Sequence, residues 1–246
     1  MRYRIDLSYV GTRYHGWQSQ PNATSVQETL EDALGKVLRE KISVTGCGRT
    51  DTGVHAEYYV AHFDANAEID DKTTDRINGL LPDDISIFSI AKANDNFHAR
   101  FDATKRSYKY VITQRKNPFL KGFAWYVRNP LDLHGMQEAA NRLFDYTDFT
   151  SFSKLHTDVK TNNCKIYRAE FEKNGDEIIF HISADRFLRN MVRAIVGTLV
   201  EVGKRKITVD DFCKIIEMKN RCEAGQSVPA EGLFLTEVEY GEVKSL

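Results

Sequence analysis

Tyr3, Ile5, Leu7 and Tyr9 alternate with Arg2, Arg4, Asp6 and Ser8. That period of two predicts a strand with one buried face. A loop marked by glycine and proline follows, from Gly11 to Pro21. Ser25 and Glu28 then stand at capping-box spacing, ahead of Val26, Leu30, Ala33, Leu34, Val37 and Leu38 on one helical face. A strand is expected at Ile42–Thr45, a loop over Gly46–Ala56 and a strand over Tyr58–Phe63. A short helix over Asp70–Leu81 is stopped by Pro82, and a strand follows at Ile85–Ala91.

The second half opens with a strand at Ser107–Thr113 and a helix at Leu133–Phe144. Tyr167, Ala169 and Phe171 alternate ahead of Asn174-Gly175, a tight-turn signal, and Glu177–Ser183 returns as the other arm of a hairpin. Apolar residues at helical spacing predict a helix over Arg186–Val202. A further helix is expected over Thr208–Met218, with Thr208 or Asp210 as its cap, and a last strand over Leu233–Tyr240. Both halves mix strands and helices in a similar order, with strands in excess. An α+β fold of antiparallel sheet backed by helices fits this better than a doubly wound parallel sheet.

Composition narrows the class. The 246 residues suffice for one large domain or two small ones, and 41% hydrophobic with 28% charged residues excludes a mostly disordered chain. A net charge of -1 does not advertise a nucleic-acid binder, so any such role needs local positive charge. Two stretches supply it. Arg100, Lys105, Arg106, Lys109, Arg115 and Lys116 lie between Phe97 and Lys116 against a single acid, Asp102, and Lys204-Arg205-Lys206 forms a second cluster. Phe101, Tyr108 and Tyr110 interleave with the first. Cys47, Cys164, Cys213 and Cys222 form no C-x-x-C pair, and no apolar run approaches the roughly 20 residues of a membrane span. The expectation is a soluble protein of the reducing cytoplasm.

Candidate chemistry concentrates in Gly46-Cys47-Gly48-Arg49-Thr50-Asp51-Thr52-Gly53-Val54-His55-Ala56. Glycines there permit tight turns and close approach, and Arg49 and Asp51 stand one residue apart. By composition alone this reads equally as a Gly-rich turn whose polar side chains bond their own backbone. No Gly-Lys-Ser/Thr follows, so it is not a P-loop. Cys47, His55 and His62 match no closed zinc spacing, and a Gly-x-Ser-x-Gly elbow is absent.

Longer motifs resolve the ambiguity. Tyr9-Val10-Gly11-Thr12, Tyr14-His15-Gly16-Trp17-Gln18, Gln20-Pro21 and Ser25-Val26-Gln27 precede Gly48–Ala56 and Val60-Ala61-His62-Phe63. Phe97-His98-Ala99-Arg100-Phe101, Ala103-Thr104 and Tyr108-Lys109-Tyr110 follow, then Phe187–Arg193 with Ile195–Leu199, Ala224-Gly225 and Gly232–Leu235. In this order the motifs resemble the TruA family of tRNA pseudouridine synthases, from residue 9 to about residue 240. Cys47 and Thr52 stand where the family usually has alanine, and Asp185-Arg186 and Arg189-Asn190 depart from its familiar last motif. No departure removes a group that the chemistry requires.

The resemblance implies two ferredoxin-like halves, expected here as 1–103 and 104–246, sharing a central RNA-binding cleft. It implies a homodimer that isomerises uridine to pseudouridine at positions 38, 39 and 40 (tRNA numbering) of the anticodon stem-loop, without cofactor or metal. By matching position, Asp51 is the catalytic aspartate, Tyr108 the ring that contacts the target base and Arg193 the basic residue of the site, with Arg49 beside them in substrate binding. Arg100, Lys105, Arg106, Lys109, Arg186 and Arg189 are the candidates for RNA-backbone contact.

These residue types suit the reaction. Breaking the N1–C1′ bond builds positive charge on the sugar, which an ionised carboxylate stabilises, as in glycoside hydrolysis. Asp51 then either attacks as a nucleophile or removes a sugar proton; the sequence leaves both routes open. A guanidinium beside it would favour its charged form, a role expected of Arg193, which shares a stripe with Arg186 and Arg189 if all three lie on one helix. A stem nucleotide must be extruded to react, and Tyr108 could stack on the flipped base. Two alternatives stay open: a pseudouridine synthase with another RNA target, and a non-catalytic RNA-binding protein on the same scaffold.

Overall fold

β1 (Arg2–Tyr9) buries Tyr3, Ile5, Leu7 and Tyr9 and turns the intervening residues outward, as its alternation requires. It lies between β3 (His55–Asp64) and β4 (Ile85–Lys92), antiparallel to both, with Ile5 opposite Ala61 on one side and Ile90 on the other. The short β2 (Val44–Gly46) pairs antiparallel with the distal part of β3, Val44 facing Phe63. Helix α1 (Val26–Leu38) connects β1 to β2, and α2 (Asp71–Asn78) connects β3 to β4. The resulting βαββαβ order, with strands arranged β4-β1-β3-β2, is the split βαβ arrangement of ferredoxin-like folds.

The computed structural model describes residues 1–154 and 161–241. Contacts divide the chain into two units, Met1–Thr104 together with the chain from Phe234 onward, and Lys105–Leu233. The last strand, β9 (Leu233–Tyr240), therefore groups with the first unit, whereas the sequence division had left it in 104–246. Its parallel pairing with the start of β3, His55 with Phe234 and Ala56 with Leu235, accounts for this; such a return across the chain leaves no local trace.

Burial and capping divide the work in α1. Val26, Leu30, Ala33 and Leu34 are buried, and each leucine contributes about 1.5–3 kcal/mol. The Ser25 side chain accepts the Glu28 N–H at 3.2 Å, worth about 1 kcal/mol. Packing therefore holds the helix, and the cap decides where it begins. Arg39, in the left-handed region at φ 58°, ends it.

In the second unit β5 (Ala103–Thr113) runs antiparallel to β8 (Glu177–Ala184), with Tyr108 opposite Ile182, and β8 pairs with β7 (Ile166–Asn174). β6 (Trp125–Tyr126) is a two-residue parallel addition to β5. Helices α3 (Leu133–Asn141), α4 (Met191–Gly203) and α5 (Val209–Glu217) complete it. The βαββα order and the strand arrangement β5-β8-β7 repeat the pattern of the first unit. The fold is mixed α+β with mostly antiparallel pairing, as expected.

Three local expectations shift. The hairpin turns on Gly175-Asp176, because Asn174 already pairs with Glu177; Gly175 takes the positive φ of 58°. Beyond Asn141 the chain tightens into a 3-10 turn, Arg142–Asp145, so α3 is shorter than Leu133–Phe144. The larger correction concerns α4, which starts at Met191 and not at Arg186. Asp185 accepts the backbone N–H groups of Lys165 at 2.8 Å and Arg186 at 2.7 Å, which holds the chain in a turn. Asn190 then sits at φ 67°, a conformation no helix interior contains. Arg186 and Arg189 are therefore in the approach to the helix, and the predicted three-arginine stripe does not form.

Candidate active site

The chain between β2 and β3 carries Asp51. Cys47 N–H still pairs with the Val60 carbonyl at 2.8 Å, after which the chain leaves the sheet. Val54 N–H returns to the Asp51 carbonyl at 3.1 Å and closes a β-turn with Gly53 in its third place at φ 80°, the pattern of a type II turn. Asp51 is the first residue of this turn and is half-buried. The turn is clamped by the segment following β1. Gly53 N–H donates to the Tyr14 carbonyl at 3.3 Å, and Gly11 N–H donates to His55 Nδ1 at 3.0 Å. Gly16, at φ 89°, lies so close to the loop that a Cβ there would overlap the Thr50 carbonyl oxygen. The two glycine-marked stretches of the sequence are thus one object, a loop and the strap that shapes it.

Arg49 is exposed, with its Nε bonded to Gln18 Oε1 at 3.0 Å, so the strap also anchors this side chain. Both conspicuous histidines of the first unit act as acceptors of backbone protons. His55 receives Gly11, and His62 Nδ1 receives Ala99 N–H at 3.1 Å. Among the described residues no group of three His, Cys, Asp or Glu side chains is placed to hold a metal. Arg100 is exposed with its guanidinium 5.6 Å from the centre of the Phe101 ring.

In the second unit Tyr108 is half-buried in the middle of β5, its ring edge-on to Phe187 with centroids 5.2 Å apart. Tyr110, two residues on, differs: it is fully buried, its hydroxyl donates to the Pro229 carbonyl at 2.8 Å, and burial pushes its phenol far up, opposed by the charge of Arg193. Of the two tyrosines, Tyr110 is core and Tyr108 keeps a partly open ring. Arg193 Nε donates to the Val228 carbonyl at 2.7 Å, and Val228 N–H returns to the Arg193 carbonyl at 3.2 Å. The guanidinium is therefore fixed in direction before any ligand arrives.

The remaining basic candidates divide. Arg106 donates to the Asp185 carbonyl at 3.0 Å and Arg186 to the Thr161 carbonyl at 3.2 Å, so both serve the approach to α4 as well as any substrate. Arg106 faces Ala184 at one end of β5 and β8, two residues before Tyr108, whose ring meets Phe187. Arg189 is exposed, and Lys105 and Lys109 are half-buried on β5. Trp17, expected in a core or a cleft wall, is core at 2% exposure. Sequence reasoning missed Tyr9 and Tyr59. Alternation marked Tyr9 as buried and Tyr59 fell in an expected strand, but nothing local showed that their hydroxyls reach the Asp51 loop.

The first unit thus holds a half-buried aspartate on a clamped turn, and the second a half-buried tyrosine and an anchored guanidinium. Comparison with known proteins places the chain as a whole. The family model described as tRNA pseudouridine synthase matches residues 7–102 and 139–241. A Bacteroides fragilis protein named tRNA pseudouridine synthase A is 57% identical over 242 residues, covering 97% of this chain and 96% of its own. Proteins of the same name from Parabacteroides distasonis and Clostridium acetobutylicum are 51% and 40% identical, each over at least 96% of both chains. The chain belongs to the tRNA pseudouridine synthase family.

Proposed function

We propose that this protein isomerises uridine to pseudouridine in tRNA, at positions 38, 39 and 40 of the anticodon stem-loop, acting as a cytoplasmic homodimer. The observation that carries the reading is the Asp51 turn: a half-buried carboxylate on a rigid connection, in the motif where the family has its catalytic aspartate. Among the described residues no helix is long and apolar enough to cross a membrane.

The reaction breaks N1–C1′, turns the uracil and forms C5–C1′; the C5 proton is lost and N1 gains one. Substrate and product contain the same atoms at the same oxidation level, so no cofactor or metal is consumed. Asp51 stabilises the positive charge that develops at C1′, by attack or by removal of a sugar proton. Tyr108 stacks on the extruded uracil with its open ring, while Arg193 and Arg49 orient the carboxylate and the nucleotide. Arg100, Lys105, Arg106, Lys109, Arg186 and Arg189 hold the backbone, so affinity falls as salt rises, and each phosphate contact removed lowers the salt slope by about 1.

Mapping modified uridines in cellular RNA with and without the gene tests the assignment. Loss of pseudouridine at the three anticodon-arm positions alone is the expected result. Loss in ribosomal RNA would redirect the enzyme to another target, and an unchanged map would leave an RNA-binding protein without this activity.

A further inference from the structure

Two phenol hydroxyls run from the sheet to the Asp51 loop. Tyr9, the last residue of β1, is 3% exposed, and its hydroxyl lies 2.9 Å from Thr50 Oγ1 in a buried hydrogen bond. Tyr59, in β3, is fully buried, passes over Gly46, and donates its hydroxyl to the Gly48 carbonyl in a short bond. Trp17 stacks on the Tyr59 ring with centroids 4.1 Å apart, and the Trp17 backbone N–H donates to the Thr50 carbonyl at 3.3 Å. Thr50, buried and one peptide from Asp51, is thus gripped at its side chain and at its carbonyl.

From this geometry we infer that Tyr9 and Tyr59 are positioning residues, phenol struts of fixed length that set where the Asp51 carboxylate stands. The inference rests on Asp51 being the catalytic group proposed above. A buried tyrosine in a core needs only some acceptor for its hydroxyl. Here both hydroxyls, from different strands, end on the two residues flanking Arg49. The rings are fixed by β1 and β3, in adjacent register where Leu7 faces Tyr59 and Tyr9 faces Ala56. Beyond the struts, the Asp51–Val54 turn fixes the other side of the aspartate. The backbone is thus held on both sides of Asp51, which sets where its side chain starts. A carboxylate that must meet C1′ loses rate steeply for displacements near 1 Å.

The test is a cycle of conservative variants, with turnover and KM measured on unmodified tRNA well below each variant's melting temperature. Tyr9→Phe and Thr50→Val each remove one end of one hydrogen bond. Each is expected to lower kcat about 10- to 100-fold with KM within about twofold. The double variant should be no slower than the worse single one, and Thr50→Ser, which keeps the hydroxyl, should recover most of the rate. Tyr59→Phe should act like Tyr9→Phe. Wild-type kcat in Tyr9→Phe and Tyr59→Phe, or independent multiplicative losses in the Tyr9–Thr50 cycle, would overturn the positioning role. Asp51→Asn separates this from the parent reading. If it keeps full turnover, the catalytic assignment has failed. If it is inactive while both phenylalanine variants keep wild-type kcat, only the struts have.

Discussion

Two loops of the first unit leave the same strand system and are held by different chemistry. The loop that carries Asp51 is met directly by phenol hydroxyls and backbone groups, with Gly16 pressed against it, while the His55 imidazole holds only the strap at Gly11. The loop from Phe97 to Asp102 is fixed by imidazoles and a carboxylate. Ala99 N–H donates to His62, Arg100 and Phe101 N–H donate to His98 Nδ1 at 3.2 and 3.3 Å, and His98 N–H donates to Asp102 at 2.7 Å. Phenols do not titrate near neutral pH, and imidazoles do. The difference implies that the hydroxyls meeting the Asp51 loop act independently of the His62 imidazole that holds the neighbouring basic loop.

Backbone disruption of the first loop should have the largest effect. Gly16→Ala forces an unfavourable φ and a clash with the Thr50 carbonyl, and should cost on the order of 3 kcal/mol, read by denaturant unfolding, with turnover reduced in whatever folds. His62→Leu comes next. It leaves the Ala99 N–H without its acceptor, at a cost of about 1–3 kcal/mol, and should weaken tRNA binding more than it slows chemistry. Gly53→Ala places alanine at φ 80° and should cost about 1–2 kcal/mol.

The pH prediction isolates the second loop. Burial, with the charge of Arg2 and the adjacent His98 adding to it and Asp64 and Asp102 opposing, pushes the His62 imidazole down to about 4. The folded state therefore favours the neutral ring. Its contribution is complete above the unfolded pKa near 6.5 and is lost as pH falls towards 4. Amide exchange at Ala99 should accelerate relative to its intrinsic rate over that window, while the Val54 amide of the Asp51 turn keeps its protection. His62→Leu should abolish the difference. Equal loosening of both loops would remove the contrast.

Much of this was legible in the sequence, and what was not has a common cause. The alternation of Tyr3 to Tyr9 gave β1 with its correct buried face and Ser25 gave the start of α1; of the two caps open for α5, Thr208 or Asp210, it is the Thr208 side chain that accepts the Asp211 N–H. The Asp51 loop stood out because glycines and a carboxylate are local features. The start of α4 did not, since it depends on Asp185 bonding Lys165 across the β7–β8 hairpin. The Tyr9 hydroxyl meets Thr50 across 41 residues of sequence, and a period-two pattern reports that a ring is buried without saying what its polar end finds. Motifs singled out the Asp51 loop; long-range hydrogen bonds, invisible to periodicity, fix its geometry.

The central claim is that one carboxylate performs the isomerisation while other groups hold the RNA. Its most direct test is Asp51→Asn, assayed for pseudouridine formation and for tRNA affinity at one fixed salt concentration. The account predicts turnover lower by at least about a thousandfold, with affinity within about twofold of wild type. An Asp51→Asn protein that still converts uridine at the wild-type rate would contradict it.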